Sequence, residues 1–263
     1  MQDKPEPIEP IIVTSVTDDR GEETTYRGLP VSKLINEGKS LEEVVCLLWT
    51  GKLPDKTTTE IVRRILILTA DHGPSVAGAY STILATSAGL EMPQAVAAGV
   101  QMIGPRFGGA ASNAASQFKK AVNDNESIEE FINRLKSEGV IYIPGIGHKV
   151  FSKSKPDKRV KDLMESLKNT LRDAGHLPAE ASAQAGASMT SFKHLDFALK
   201  LEEELLKKNE KLILNIDGTI GAVLLDLGFP LESIDGFFIL ARTIGFIAHY
   251  IDQKQRGLGL IRL

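Results

Sequence analysis

Two stretches dominate this sequence: Gly145-Ile146-Gly147-His148-Lys149-Val150 and Asn215-Ile216-Asp217-Gly218. In the first, a histidine lies between a glycine-rich turn and a basic stretch. In the second, an aspartate follows the short apolar run 212–214. Glycine lets the backbone approach a ligand where a β-carbon would clash, and imidazole and carboxylate are the commonest proton carriers near neutral pH. The two stretches therefore predict proton-transfer chemistry at His148 and Asp217.

Composition limits the class of protein. The chain has 263 residues, of which 42% are hydrophobic and 25% charged, as in ordinary globular domains. Its net charge of −3 argues against a general nucleic-acid-binding protein. The single cysteine, Cys46, excludes an intrachain disulfide and a cysteine-based zinc site. Because it lies in an apolar helical pattern, we expect Cys46 to be a small core residue.

The N-terminal residues 1–10 are acidic and contain proline, which predicts a flexible leader before one domain over residues 11–263. They have neither the basic start nor the apolar core of a signal peptide. No apolar run approaches the roughly 20 residues of a membrane span. We therefore expect a cytoplasmic protein without a membrane partner.

Helix signals fill most of the chain after a predicted β-hairpin over residues 11–27. Capping boxes begin at Ser40 and Ser127, each with a glutamate three residues later. An amphipathic pattern predicts a helix at 57–69. Apolar segments rich in alanine and glycine at 76–89 and 93–102 predict closely packed helices, and further helices are expected at 159–171, 192–208, 221–227 and 234–253. The sequence therefore predicts a mainly α fold. We expect His194 to be solvated and assign no role to His249.

Several motifs together resemble the citrate synthase family. Residues 145–150 with Pro156-Asp157-Lys158-Arg159 resemble its second histidine motif, residues 215–218 its catalytic aspartate motif, and Ala70-Asp71-His72-Gly73-Pro74 its first substrate histidine. The resemblance runs from about residue 12 to the end, with the motifs in the family's order. It implies a citrate-synthase-like helical fold, in which a smaller helical subdomain at approximately 105–215 is inserted in a larger one.

One motif departs from citrate synthases. Residues 104–110 read Gly-Pro-Arg-Phe-Gly-Gly-Ala, so Phe107 stands where those enzymes carry a catalytic histidine. This segment and residues 244–254 resemble the citryl-CoA-cleaving part of ATP-citrate lyase. We expect a stand-alone citryl-CoA lyase, because 263 residues leave no room for the ATP-binding and phosphohistidine parts. Citrate-synthase-type condensation and a non-catalytic subunit that binds coenzyme A or carboxylates stay open as alternatives.

The resemblance also implies roles for the motif residues. The reaction is a metal-free, retro-aldol-type cleavage of citryl-CoA to acetyl-CoA and oxaloacetate. Asp217 would exchange the proton of the acetyl carbon, His148 would bind the oxygen that changes charge, and His72 would bind an oxygen on the oxaloacetate side. Their structural alternatives are a helix-capping or turn aspartate, a surface loop histidine and a turn histidine.

Three arginines would bind the substrate carboxylates, because a planar guanidinium forms paired hydrogen bonds with one carboxylate. These are Arg159, Arg242 and Arg262. In the family the arginine equivalent to Arg262 enters the neighbouring subunit's site, which implies a homo-oligomer, dimer or tetramer, with a shared active site. An internal salt bridge for Arg242 and a frayed tail for Arg262 are the alternatives.

A further set of residues would contact the thioester and the coenzyme A part of the substrate. Phe107 would shape the thioester pocket, and coenzyme A would be bound by Gly145, Ile146, Gly147, Lys149 and Lys153. A solvated basic face is the alternative for the lysines. Histidine spacing predicts no metal site, and we expect no cofactor besides the coenzyme A thioester itself. A separate citryl-CoA synthetase is an expected partner, and the reductive tricarboxylic acid cycle the expected setting.

Overall fold

A computed structural model of the chain describes residues 14–104, 109–173, 192–257 and 259. Within them the fold is mainly helical, which confirms the predicted fold class. Three short antiparallel strands form one sheet in the order β1-β2-β3, with Thr17 opposite Tyr26 and Tyr26 opposite Leu29. The elements are β1 Thr17–Asp18, β2 Thr25–Tyr26, β3 Leu29–Pro30, α1 Val31–Asn36, α2 Leu41–Thr50, α3 Lys56–Thr69, α4 Ala77–Ser87, α5 Met92–Gln101, α6 Ala110–Asn123, α7 Ile128–Ser137, α8 Lys158–Asp173, α9 Lys193–Leu206, α10 Ile216–Asp226, a 3-10 turn Leu231–Ser233 and α11 Ile234–Arg256.

The chain divides into two compact units between Thr59 and Glu60. The first contains the sheet, α1 and α2. There the guanidinium of Arg27 donates to the carbonyl oxygen of Leu48 over 2.8 and 3.0 Å and thereby ties the sheet to α2. Cys46 is buried in this unit, as predicted. Burial raises the pKa of its thiol to about 11, so the thiol is unreactive at neutral pH.

Both predicted capping boxes are present. The Ser40 hydroxyl accepts from the Glu43 amide over 3.3 Å, and the Glu43 carboxylate accepts from the Ser40 amide over 2.9 Å. Ser127 and Glu130 form the same pair at the start of α7. Each box satisfies backbone donors that a helix start leaves free, which is why both helices begin where the local sequence indicates.

The second unit is built on helices that pack closely at small residues. Helices α4, α5 and α11 contact one another, and α6, α9 and α10 form a second group. A β-carbon on Gly78 would collide with Phe246, and one on Gly221 would lie 2.5 Å from the Ala111 carbonyl oxygen. The glycine- and alanine-rich segments thus allow the backbones to approach.

Helix α11, with the turn before it, is long and apolar enough to cross a membrane by length and composition, contrary to the expectation that no segment is. One face of it is buried against α4 and α5, and the buried core helix of a globular protein meets the same criterion.

Two sequence predictions need correction in this unit. His194 was expected to be solvated, yet it is only 6% exposed, and its Nδ1 lies 2.6 Å from Oδ1 of Asp226. Asp226 also accepts from the amides of His194 and Leu195, so it caps the start of α9 from the end of α10. Helix α10 begins at Ile216 rather than Gly221, because Asn215 caps it by accepting from the Gly218 amide over 3.0 Å.

Candidate active site

The two motif segments pair with each other through their backbones. The Gly147 amide donates to the Ile213 carbonyl over 2.7 Å, and the Asn215 amide donates to the Gly145 carbonyl over 2.9 Å. The Asn215 side chain adds a bond to the Gly147 carbonyl over 3.0 Å. This pairing brings the His148 loop to the first turn of α10, where Asp217 lies.

Close approach of these segments requires glycine. Gly145 has a φ of +79°, and a β-carbon there would lie 2.7 Å from the Cα of Gly218. A β-carbon on Gly218 would in turn lie 2.5 Å from the Gly145 carbonyl oxygen. The amides of Ile146 and Gly147 donate to protein carbonyls. The structure therefore gives these glycines a packing reason, and their contact with coenzyme A stays a prediction.

The His148 ring is held in one tautomer. Its Nδ1 accepts from the amides of Val150 and Phe151 over 3.0 and 3.2 Å, and the ring lies against Phe151 with centroids 4.5 Å apart. Burial lowers the pKa of His148, which the Arg159 charge reinforces and Asp157 opposes. The neutral ring then carries its proton on Nε2, so His148 presents a hydrogen-bond donor.

The pKa of Asp217 is shifted upward, whereas that of His148 is shifted downward. Burial raises the pKa of its carboxyl, and the charges of Arg159 and Arg242 oppose the shift. A carboxyl whose pKa is raised stays protonated to a higher pH and can act as an acid. Its place in the first turn of α10, two residues past the Asn215 cap, follows from the capping bond described above.

Arg159 is oriented by a buried carboxylate. Asp157 accepts from Nη2 and Nε of Arg159 over 2.7 and 3.1 Å, and these bonds hold the pKa of Asp157 low although burial raises it. Nη1 of Arg159 lies 3.3 Å from Nδ1 of His72. Because arginine only donates, the His72 Nδ1 accepts and its Nε2 carries the proton. Partial enclosure and the nearby arginines lower the pKa of His72.

Arg242 is the most unusual group. It is 4% exposed, and its Nε and Nη1 have no hydrogen-bond partner within the described residues. Its guanidinium lies over the Phe238 ring, 4.7 Å from the centroid. No salt bridge to Arg242 is present in the described part of the chain, so the internal-salt-bridge alternative finds no support there. An unpaired buried cation is costly, and a bound anion would relieve that cost.

These groups converge although they are far apart in the sequence. The charges of Arg159 and Arg242 act on both His72 and Asp217, and Asp217 acts on His148. Lys149 and Lys153 are exposed beside this site, and their contact with coenzyme A phosphates stays a prediction. Phe107 and Arg262 lie outside the described residues. In the described part, no group of three or more His, Cys, Asp or Glu side chains is arranged to hold a metal ion.

Sequence reasoning missed the supports of the site. Asp157 orients Arg159, and Asp71 accepts from His249 over 3.1 Å. Both aspartates lie within the quoted motifs, one or two residues before a predicted site residue. An acidic residue so close to a cation or an imidazole was the available signal.

Comparison with known proteins gives a consistent result. The family model described as citrate synthase, C-terminal domain, matches residues 10–60 and 54–263. An ATP-citrate synthase beta chain of Oryza sativa is 37% identical over 95% of this chain, which spans only 40% of that protein. The ATP citrate lyase of Methanothrix soehngenii, solved with citrate and coenzyme A, has a TM-score of 0.83 at 34% identity over 97% of this chain and 41% of its own.

A solved citryl-CoA lyase from Hydrogenobacter thermophilus has nearly the same extent. Its TM-score is 0.78 at 28% identity, and the match covers 93% of this chain and 87% of the lyase. The range that the family model matches includes the described motif residues, from the His72 loop to α11. The chain therefore belongs to the citrate synthase family, in its C-terminal domain.

Proposed function

We propose that this chain cleaves citryl-CoA to acetyl-CoA and oxaloacetate. The observation that supports this most is the set of charges around Asp217: two guanidinium groups, one of them buried and unpaired, beside a carboxyl whose pKa is raised. Two arginines suit a substrate with two free carboxylates. The similar solved proteins, a citryl-CoA lyase and an ATP citrate lyase with citrate and coenzyme A bound, support the same substrate class.

The proposed chemistry follows from the protonation states. Cleavage breaks the bond between the hydroxyl-bearing carbon and the CH₂ next to the thioester, and the bonding electrons move into an acetyl-CoA enolate. Protonated Asp217 gives its proton to the CH₂ carbon of this enolate, which becomes the methyl group of acetyl-CoA. His148 and His72 each present an Nε2–H and stabilise the oxygen that becomes the oxaloacetate ketone. The hydroxyl proton is released to solvent, and the Asp217 carboxylate takes one proton from solvent before the next turnover. Protons therefore balance over the cycle.

A coupled assay tests the function. Citryl-CoA is mixed with the chain, and oxaloacetate is followed through an NADH-linked reductase. We expect NADH loss in the wild type and almost none with Asp217→Asn, while Asp252→Asn, at an exposed carboxylate paired to Arg256 on α11, keeps wild-type turnover. A silent assay, with citrate formed from acetyl-CoA and oxaloacetate instead, would favour the condensation alternative. Silence in both directions would favour a binding subunit.

We also propose that the active form is a homo-oligomer. Helix α11 leaves a short apolar stripe open to solvent in the single chain, where Ile244 and Ile251, seven residues apart on one face, are 55% and 43% exposed. Such a stripe suits the same surface of a second copy. Light scattering should give at least twice the mass of one chain, and Ile244→Glu should lower it. A wild type that stays monomeric at high concentration contradicts this proposal.

The remaining parts of the proposal rest on the sequence alone. They are location in the cytoplasm, the absence of a resident cofactor, supply of citryl-CoA by a separate synthetase, and a role in the reductive tricarboxylic acid cycle. The proposal that Arg262 enters the neighbouring subunit's site also rests on the sequence. Deleting residues 262–263 should raise KM for citryl-CoA, and unchanged kinetics would exclude the shared site.

A further inference from the structure

The loop that carries His72, residues 70–74 between α3 and α4, is anchored through the side chain of Asp71. Its Oδ2 accepts from the Gly73 amide over 2.9 Å, and its Oδ1 lies 3.1 Å from Nε2 of His249 on α11. A carboxylate only accepts, so the His249 Nε2 is the donor. The contact joins positions 178 residues apart.

Helix α11 is shaped to receive this loop. Gly245 lies one helical turn before His249, on the same side of the helix. A β-carbon there would collide with the Ala70 carbonyl oxygen and would lie 3.0 Å from Oδ1 of Asp71. Glycine at this position therefore lets the loop backbone lie directly on α11, and His249 fastens it by the carboxylate.

The same side of α11 also carries Arg242, seven residues before His249. The charges of Asp71 and Arg242 act on each other, and that of Arg242 acts on His72. At the other end, the His72 ring meets Arg159. His72 is thus placed from two directions: its backbone by Asp71 and α11, and its ring by Arg159.

Asp71 keeps its charge in this arrangement. Although burial raises its pKa, the amides of Gly73 and His72 and the His249 ring together hold the pKa below the usual value. The carboxylate is therefore ionised at neutral pH and accepts from the His249 Nε2–H.

We propose that His249 is a positioning residue that acts through Asp71 to fix the His72 Nε2–H relative to Arg242. This deepens the proposed function and rests on it for the kinetic consequence only. His72 would stabilise an oxygen that gains charge during cleavage, so its misplacement weakens the transition state more than the bound substrate. Loss of the anchor should therefore lower kcat about 10- to 100-fold and leave KM nearly unchanged.

The test uses three variants of the full chain. His249→Leu removes the donor, His249→Gln keeps an amide donor, and Thr243→Val is the matched control, because its hydroxyl bonds only within α11. We expect His249→Leu to lower kcat, His249→Gln to restore most of it, and Thr243→Val to match the wild type. In an Asp71→Ala background, His249→Leu should cost nothing further, since its partner carboxylate is already gone.

A second measurement does not depend on citryl-CoA cleavage. The His72 ring is followed by NMR titration, and its pKa should move in His249→Leu but stay at the wild-type value in His249→Gln. If the wild type is inactive on citryl-CoA and the His72 titration still moves, the positioning role stands and the proposed function fails. Unchanged kcat and an unchanged His72 titration in a folded His249→Leu protein would overturn the inference, as would a kcat loss that the glutamine does not relieve.

Discussion

Replacing Arg242 by methionine should make the unliganded protein more stable. The guanidinium is 4% exposed, and two of its three nitrogens have no hydrogen-bond partner within the described residues. Burial lowers its pKa, which expresses the same cost of holding a cation away from water. Without a bound anion, this desolvation cost lowers the stability of the folded protein.

The magnitude follows from these two nitrogens. A buried polar group without a partner costs about 1–3 kcal/mol, so the pair costs about 2–6 kcal/mol. The contact with the Phe238 ring offsets about 2 kcal/mol of this cost. Methionine fills much of the volume without a charge, and replacing buried charges by apolar side chains often stabilises by about 1–4 kcal/mol. We expect Arg242→Met to raise the free energy of unfolding by that amount.

Urea unfolding with and without oxaloacetate checks this. Wild type should gain about 2.7 kcal/mol at a ligand concentration one hundred times Kd, and Arg242→Met should gain far less because one carboxylate contact is lost. Arg256→Met, at an exposed arginine on the same helix paired to Asp252, is the control and should change stability by less than about 0.5 kcal/mol. An unliganded Arg242→Met protein that unfolds at lower urea than wild type refutes the reasoning.

Three further predictions concern the framework of the site. Asp217→Asn should flatten the pH dependence of stability. The pKa of Asp217 is higher in the folded protein than in the unfolded chain, so wild-type stability falls as pH rises from the unfolded pKa through the folded pKa. Melting temperatures measured over this pH range should show the fall only in the wild type. Gly145→Ala should lose about 2–4 kcal/mol in urea unfolding, because of the clash with Gly218 and the positive φ. Gly21→Ala, where the β-carbon would lie 3.8 Å from the Glu23 carbonyl oxygen without a clash, should lose less than about 0.5 kcal/mol. Asp226→Asn should lose about 1–3 kcal/mol by the same measurement, since an amide NH₂ replaces one of the two oxygens that accept from the first amides of α9, and a loss below about 0.5 kcal/mol would contradict that role.

Local features of the fold could be predicted from the sequence. The capping boxes at Ser40 and Ser127 begin helices as expected, because a cap involves only the four residues at the helix start. Apolar composition, rich in alanine and glycine for α4 and α5, likewise predicted α4, α5 and α11 to within a few residues. The start of α10 was missed, because its Asn215 cap follows the apolar run 212–214, which does not have helical spacing.

The candidate site could be predicted only as a set of residue types. The motifs named His72, His148, Asp217, Arg159 and Arg242, but their neighbours in space were not available from spacing. Burial of His194 and the anchoring of Asp71 by His249 depend on how whole helices pack. Helical periodicity does not indicate which residue of another helix or loop a side chain will contact.

The sequence by itself determined that the chain is mainly helical, which residues could move protons or bind carboxylates, and that glycines flank them. These properties depend on single residues or on neighbours within one helical turn. Only the tertiary structure decided that residues 145–147 lie against 213–215, that Arg242 is buried with two nitrogens lacking a hydrogen-bond partner among the described residues, and that α11 holds the His72 loop. Such contacts join segments tens of residues apart, and their free energy comes from packing that no local pattern specifies.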